Sequence, residues 1–210
     1  MFHLPLNTEV RKVVPKNAFD HYTNSKQKKE FADKLLRITW AHKIAADTVN
    51  LQGNEIQEIQ VFKIELKEKL FIKEILSIID KAIPYPIIFW IEFQGEFYIS
   101  TAAKHPNPKD ENSAVIDYVF TTDWKLMAEN PFQITLKNNI DWVFKNFCDQ
   151  LKTINTEVKN IKDLVEHQKS NDAILREIKK IESAITTKCN QFKKKVELNE
   201  KLKELKQKLK

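Results

Sequence analysis

The chain has 210 residues, 42% hydrophobic and 10% aromatic, with 35 Lys and Arg against 29 Asp and Glu for a formal net charge of +6. That length suits one well-buried domain plus an extension and excludes two large domains. Only two glycines, Gly53 and Gly95, are present, which excludes phosphate-cradling loops built from several close glycines, and no apolar run approaches the ~18 residues of a membrane span, so the chain reads as cytoplasmic with no membrane partner.

In chain order, Pro5 and the charges after it forestall a signal-like apolar start. "PKNAFDHYTNSKQKKEFADKLLRITWAHKI" predicts a turn at Pro15 and a helix from about Ser25, its apolar face drawn from Phe31, Leu35, Ile38 and Trp40. "NEIQEIQVFKIEL" alternates through Ile59, Val61, Ile64 and Leu66 as a strand, and "LFIKEILSIIDKAI" returns to helical period until Pro84 stops it. Together they read as a strand followed by a crossover helix. "YPIIFWIEFQGEFYISTAAK" predicts a hairpin around Gln94-Gly95-Glu96, "KHPNPKDENS" an exposed loop, and "AVIDYVFTTDW" another strand. A helix through "LKNNIDWVFKNFCDQL", with Ile140, Val143, Phe144 and Phe147 inward, closes the domain. Residues 1–150 are thus expected to form a mixed α/β domain, a β-sheet flanked by helices.

Residues 151–210 are a different kind of object. They hold 16 Lys and Arg against 9 Asp and Glu, a net of +7, which leaves –1 for residues 1–150. Of 21 Phe, Trp and Tyr, only Phe192 lies beyond residue 150, so the core belongs to the first part. The tail's apolar residues form a sparse seam with stutters, which predicts a coiled-coil-like helical extension. The polar stretch "HQKSND" at 167–172 interrupts it, and Ser170 or Asn171 could cap a fresh helix, so one rod and a helical hairpin both fit. So narrow a stripe needs another helix against it. Ile178, Ile181, Ile185, Phe192, Leu198, Leu202, Leu205 and Leu209 are the candidate interface, most simply of a homodimer.

Chemistry is thinner. Metal-dependent nucleases of the restriction type need two carboxylates to hold Mg²⁺ and a lysine to stabilise charge at the attacked phosphate. Glu65-Leu66-Lys67 at a strand end offers such a pattern, with Asp47 or Glu58 as the second carboxylate. The five histidines, at 3, 21, 42, 105 and 167, show no metal-binding spacing, and Cys148 and Cys189 form no CxxC, so neither metal nor cofactor is expected. Lys179, Lys180, Lys193, Lys194 and Lys195 could track the phosphates of duplex DNA, diluted by Glu197, Glu200 and Glu204.

The stretches "LP" at 4–5, "PKNAF" at 15–19, "ITW" at 38–40, "DTVNL" at 47–51, "EIQVFKIELK" at 58–67, "IPYPIIF" at 83–89 and "KKVELNEKLKELKQKL" at 194–209 resemble a bacterial family of short proteins known only as a domain of unknown function. Its members tend to be encoded beside helicase and DNA methyltransferase genes of the restriction and phage-defence kind, so the resemblance implies a defence context. It supplies no catalytic residues. The expectation is therefore a non-enzymatic accessory subunit that binds a larger helicase, methyltransferase or nuclease partner, with duplex DNA as a further candidate partner of its basic tail. The alternative is a metal-dependent nuclease using Glu65 and Lys67.

Overall fold

A computed structural model describes residues 1–152, 158–187 and 192–208, leaving aside the side chains of 111, 112, 187 and 192–194. The chain divides into two compact units, Met1–Leu151 and Lys152–Lys210.

The first unit is mixed α/β. Strands β1 (Glu9–Val13), β2 (Leu35–Ala45), β3 (Glu58–Leu66), β4 (Ile87–Phe93), β5 (Glu96–Asn107) and β6 (Asp110–Thr121) lie across the sheet in sequence order, and β7 (Lys125–Leu126) pairs with β5. Every neighbouring pair is antiparallel except β3 and β4, which run parallel because helix α3 (Lys73–Ala82) carries the chain across between them. The β4–β5 hairpin turns on Gln94 and Gly95, both at positive φ, a conformation that Gly95 adopts without penalty because it has no side chain.

Alternation along the strands sorts side chains to two faces. Phe62, Ile64, Phe89 and Ile91 pack with Phe31 of α1 (Ser25–Lys34) and with Ile75 and Ile79 of α3. On the other face Phe2 meets Trp90 of β4 and Phe147 of α4 (Ile140–Leu151) edge to face, and Trp90 stacks on Phe97 at 3.9 Å. The sheet thus carries apolar layers on both sides. The short helix α2 (Ala46–Val49) links β2 towards β3.

Three expectations need correction. The helix from Ser25 stops at Lys34, and Leu35 onward is strand, paired on one side with β1 and on the other with β3. Ile38 and Trp40 lie two residues apart, which puts them on one face of a strand but about 200° apart on a helix. The stretch 104–113 is no open loop: β5 continues to Asn107 and β6 starts at Asp110, so its polarity marks an exposed hairpin tip within a continuous ladder. The polar stretch 167–172 does not break the tail. Helix α5 runs unbroken from Ile161 to Thr187, since that stretch contains neither Gly nor Pro and its polar residues fit a helix surface.

In the second unit, α5 packs on α6 (Phe192–Gln207) through Ile178, Ile181 and Leu205, with Ile174, Ile185, Leu198 and Leu202 around them. Ion pairs from Glu177 to Lys201 at 2.6 Å and from Glu182 to Lys206 at 2.8 Å add to this contact. Among the described residues no helix is long and apolar enough to cross a membrane.

Candidate functional site

The carboxylates singled out in the sequence fall at opposite ends of β3. Glu58 opens the strand and Glu65 nearly closes it, seven residues on, a separation of about 23 Å at ~3.3 Å per residue.

At the Glu58 end a polar cluster forms because β2 runs directly into α2, which brings Asp47 back beside the last turns of the ladder. Lys43 Nζ lies 2.8 Å from Asp47 Oδ2 and 3.5 Å from Glu58 Oε2. The hydrogen bond from Lys43 holds the Asp47 carboxyl below the usual range. Glu58 moves the other way: burial raises its pKa, and the Lys43 ammonium only partly offsets this. Gln60, the cross-strand partner of Lys43, donates its side-chain amide to Glu58 Oε1. Its own Oε1 is buried and, among the described residues, meets no hydrogen-bond donor.

At the other end Glu65 accepts from Lys63 Nζ at 3.2 Å and lies 3.4 Å from Arg37 Nε. Lys63 also reaches Glu92 Oε1 at 2.7 Å, because Glu92 is Glu65's neighbour across the parallel β3–β4 pair. Burial pulls the Lys63 pKa down, but the bonds and charges of Glu92 and Glu65 outweigh it and the pKa rises. Lys67 turns away from this group: its Nζ donates to the Ala32 carbonyl at 2.8 Å, and its backbone N–H to the Lys34 carbonyl at 2.9 Å. It thereby satisfies carbonyls left open at the end of α1. The structure does not bring Asp47 or Glu58 together with Glu65 and Lys67.

In the tail, Lys179, Lys180 and Lys195 are exposed. The side chains of Lys193, Lys194 and Phe192, and all of Leu209, lie outside the described residues. Ile178, Ile181 and Leu205 are buried, so the seam finds its helix within this chain.

A further polar site had no signal in the sequence. His42 is buried on β2, and its Nδ1 lies 2.9 Å from Thr8 Oγ1. The Thr8 hydroxyl has one hydrogen and donates it to the Pro5 carbonyl at 2.7 Å, so His42 Nδ1 must be the donor in the pair and Nε2 keeps a free lone pair. Burial lowers the His42 pKa, with Glu9 opposing the effect and Arg11 adding to it, which favours the neutral ring. His42 lines a cleft of about 450 Å³ together with His3, Glu9, Arg11, Thr39 and Lys63. Arg11 stands there at φ 50°, inside the irregularity between Glu9 and Lys12 in the β1–β2 pairing, and pairs with Glu9 at 2.7 Å. A left-handed Arg costs ~1–2 kcal/mol, which the surrounding ladder must hold. The arrangement offers a hydrogen-bond acceptor of fixed tautomer at the wall of a polar cleft. Thr8 and His42 are 34 residues apart, and no spacing rule joins them.

A family described as "Domain of unknown function (DUF4391)" matches residues 2–209. No curated protein and no solved structure matches the chain.

Proposed function

The chain belongs to the DUF4391 family, and from that premise we propose that it is a non-enzymatic accessory subunit of a bacterial DNA-defence system of the restriction kind. In this reading it works in the cytoplasm, docks on a larger helicase, methyltransferase or nuclease, and lays its helical tail on duplex DNA. The observation that carries the reading is the separation of charge: a net of +7 in residues 151–210 against –1 in residues 1–150. Because Ile178, Ile181 and Leu205 close on one another inside the tail, α5 and α6 act in this reading as a short coiled-coil-like grip. Exposed Lys179, Lys180 and Lys195 supply cations to a phosphate backbone, a sequence-independent and salt-dependent contact. Homodimerisation through the seam has less to draw on, since Ile178, Ile181 and Leu205 are already buried. The nuclease alternative has its lysine committed to a backbone carbonyl.

The test is the salt dependence of duplex binding by the intact protein. Replacing Lys179, Lys180 and Lys195 with Gln should shallow the slope of log K against log salt by about 2–3, at ~0.9 per phosphate contact. An unchanged slope, or no binding by the wild type at low salt, would remove DNA from the function.

A further inference from the structure

We infer that the cleft walled by His42 and Arg11 binds a phosphate group that still carries a proton, as inorganic phosphate or as a small phosphate monoester. His42 Nε2 accepts from the P–OH and Arg11 donates to the anionic oxygens. The sheet itself assembles this wall. Glu9 of β1 is the cross-strand partner of His42, and directly opposed residues share a face. The β2 irregularity between Trp40 and His42 sets His42 against Val61 and Thr39 against Lys63, so Thr39, His42 and Lys63 fall on that face as well. The β1 irregularity between Glu9 and Lys12 holds Arg11 at the same cleft. Its volume of about 450 Å³ is that of a small-molecule site.

Two independent observations point to a ligand. First, His42 is only 6% exposed, its Nδ1–H is committed to Thr8, and its Nε2 meets no donor among the described residues. Gln60 Oε1 is the one fully enclosed side-chain nitrogen or oxygen without a partner among the described residues, so Nε2 keeps accessible surface, and the ring borders the cleft. Second, Arg11 stands at φ 50°, where Gly would fit without cost and Arg does not. Strain of this kind persists where a particular side chain is needed. Both Glu9 oxygens are met by Arg11 Nη2 alone, at 2.8 and 2.7 Å, so Nε and Nη1 keep donors that meet no acceptor among the described residues. Lys63 is held by Glu92 and Glu65 and adds positive field rather than a contact.

The chemistry of the wall selects the ligand. His42 Nε2 and the Glu9 carboxylate accept, and Arg11 donates, so the ligand must bring both a proton and negative charge. A carboxylate or a sulfate at neutral pH brings charge alone and would set its lone pairs against that of Nε2. A phosphate brings both, because its second ionisation falls near neutrality, with a pKa of about 6 in a monoester. The planar guanidinium matches two of its oxygens at once. Phe2, Leu4 and Ala41 line the same cleft and offer an apolar wall to a carbon skeleton.

The site belongs to the α/β unit and owes nothing to the tail, so it stands or falls apart from DNA binding. The experiment titrates the intact protein at pH 6.5 with sodium phosphate, ribose 5-phosphate or sodium sulfate at matched ionic strength, followed by calorimetry and by the ¹⁵N spectrum of the His42 ring. One equivalent of phosphate or ribose 5-phosphate should bind and move the Nε2 resonance while Nδ1 keeps its proton. Sulfate should bind about tenfold or more weakly, the loss of one hydrogen bond to a charged group. Tighter binding of ribose 5-phosphate than of phosphate identifies a monoester as the ligand, and the reverse order the free ion. Arg11→Gly should weaken binding about tenfold or more without loss of urea stability, since it removes the fork and the left-handed strain together. Thr8→Val, which releases the tautomer, should narrow the preference for phosphate over sulfate. Sulfate bound as tightly as phosphate, no saturable binding of either phosphate, or an affinity that Arg11→Gly leaves unchanged would overturn the inference.

Discussion

Replacing Lys104 with Met tests how the two halves of the α/β unit are locked together. Lys104 projects from β5 with its side chain wholly buried, and its three ammonium protons have three acceptors: Asp80 Oδ1 at 3.0 Å, the Asp80 carbonyl at 2.8 Å and the Ile83 carbonyl at 2.8 Å. The lysine therefore closes the C-terminal end of α3 and neutralises a carboxylate that is itself buried. Met keeps the aliphatic stem but leaves a lone buried charge and two helix-end carbonyls, a loss of ~3–5 kcal/mol. Burial already lifts the Asp80 carboxyl to about 6, against the partial opposition of Lys104. An acid raised above its unfolded pKa contributes stability that is present below about pH 4 and lost as pH rises through 6. Without Lys104 the carboxyl rises further, so Lys104→Met should cost more at pH 7.5 than at pH 5.5, by up to ~1.4 kcal/mol per pH unit. Adding Asp80→Leu should restore most of the stability at pH 7.5. Urea unfolding followed by tryptophan fluorescence measures the wild type and both variants. A Lys104→Met protein within ~1 kcal/mol of wild type at pH 7.5, with the same pH dependence, would refute the reasoning.

Asp141 of α4 accepts the backbone N–H groups of Asn54, Glu55 and Ile56 at 2.6, 2.9 and 3.0 Å, so Asp141→Ala should destabilise by ~1–3 kcal/mol in urea unfolding and speed amide exchange at 54–56. Gly53→Ala should be comparably damaging, because a Cβ there would stand 1.9 Å from the Ile56 carbonyl oxygen; unchanged thermal unfolding would show that the turn yields. His42 has a folded pKa below its unfolded value, so its share of stability is present above about pH 6.5 and is lost as pH falls below it. Ring ¹⁵N spectra should show the Nδ1–H tautomer, and Thr8→Val should redistribute it between the two nitrogens; a protonated ring at pH 7 would contradict the hydroxyl argument. Leu205→Ala should loosen the α5–α6 pair by ~2–4 kcal/mol, read as faster amide exchange confined to 161–187 and 192–208.

What the sequence disclosed was what local periodicity carries. The alternation in 58–66, the helical period before Pro84 and the Gln94-Gly95 turn correspond to β3, α3 and the β4–β5 hairpin. Where the period was ambiguous, tertiary pairing decided. Phe31, Leu35 and Ile38 fit a helix face, yet β1 and β3 flank the segment and draw everything after Lys34 into the sheet. Polarity misled at 104–113 and 167–172 because exposed ladder and exposed helix are as polar as loop. The sites were less legible still. Glu65-Leu66-Lys67 satisfies a pattern in one dimension, but Lys67 closes α1, a helix whose end no local rule ties to residue 67. Gln60 reads as an ordinary strand glutamine until the ladder sets it against Lys43 and buries its carbonyl. His42 becomes a fixed-tautomer acceptor only through the Thr8 hydroxyl.

The proposed role makes the basic helical tail the surface this protein offers to DNA. Amide chemical shifts of the intact, isotope-labelled protein, recorded at low salt with and without a short duplex of arbitrary sequence, test it most directly. Shifts should concentrate in 161–187 and 192–208, around Lys179, Lys180 and Lys195, and fade as salt rises. Shifts confined to the sheet strands 35–45 and 58–66, or none at any salt, would contradict it.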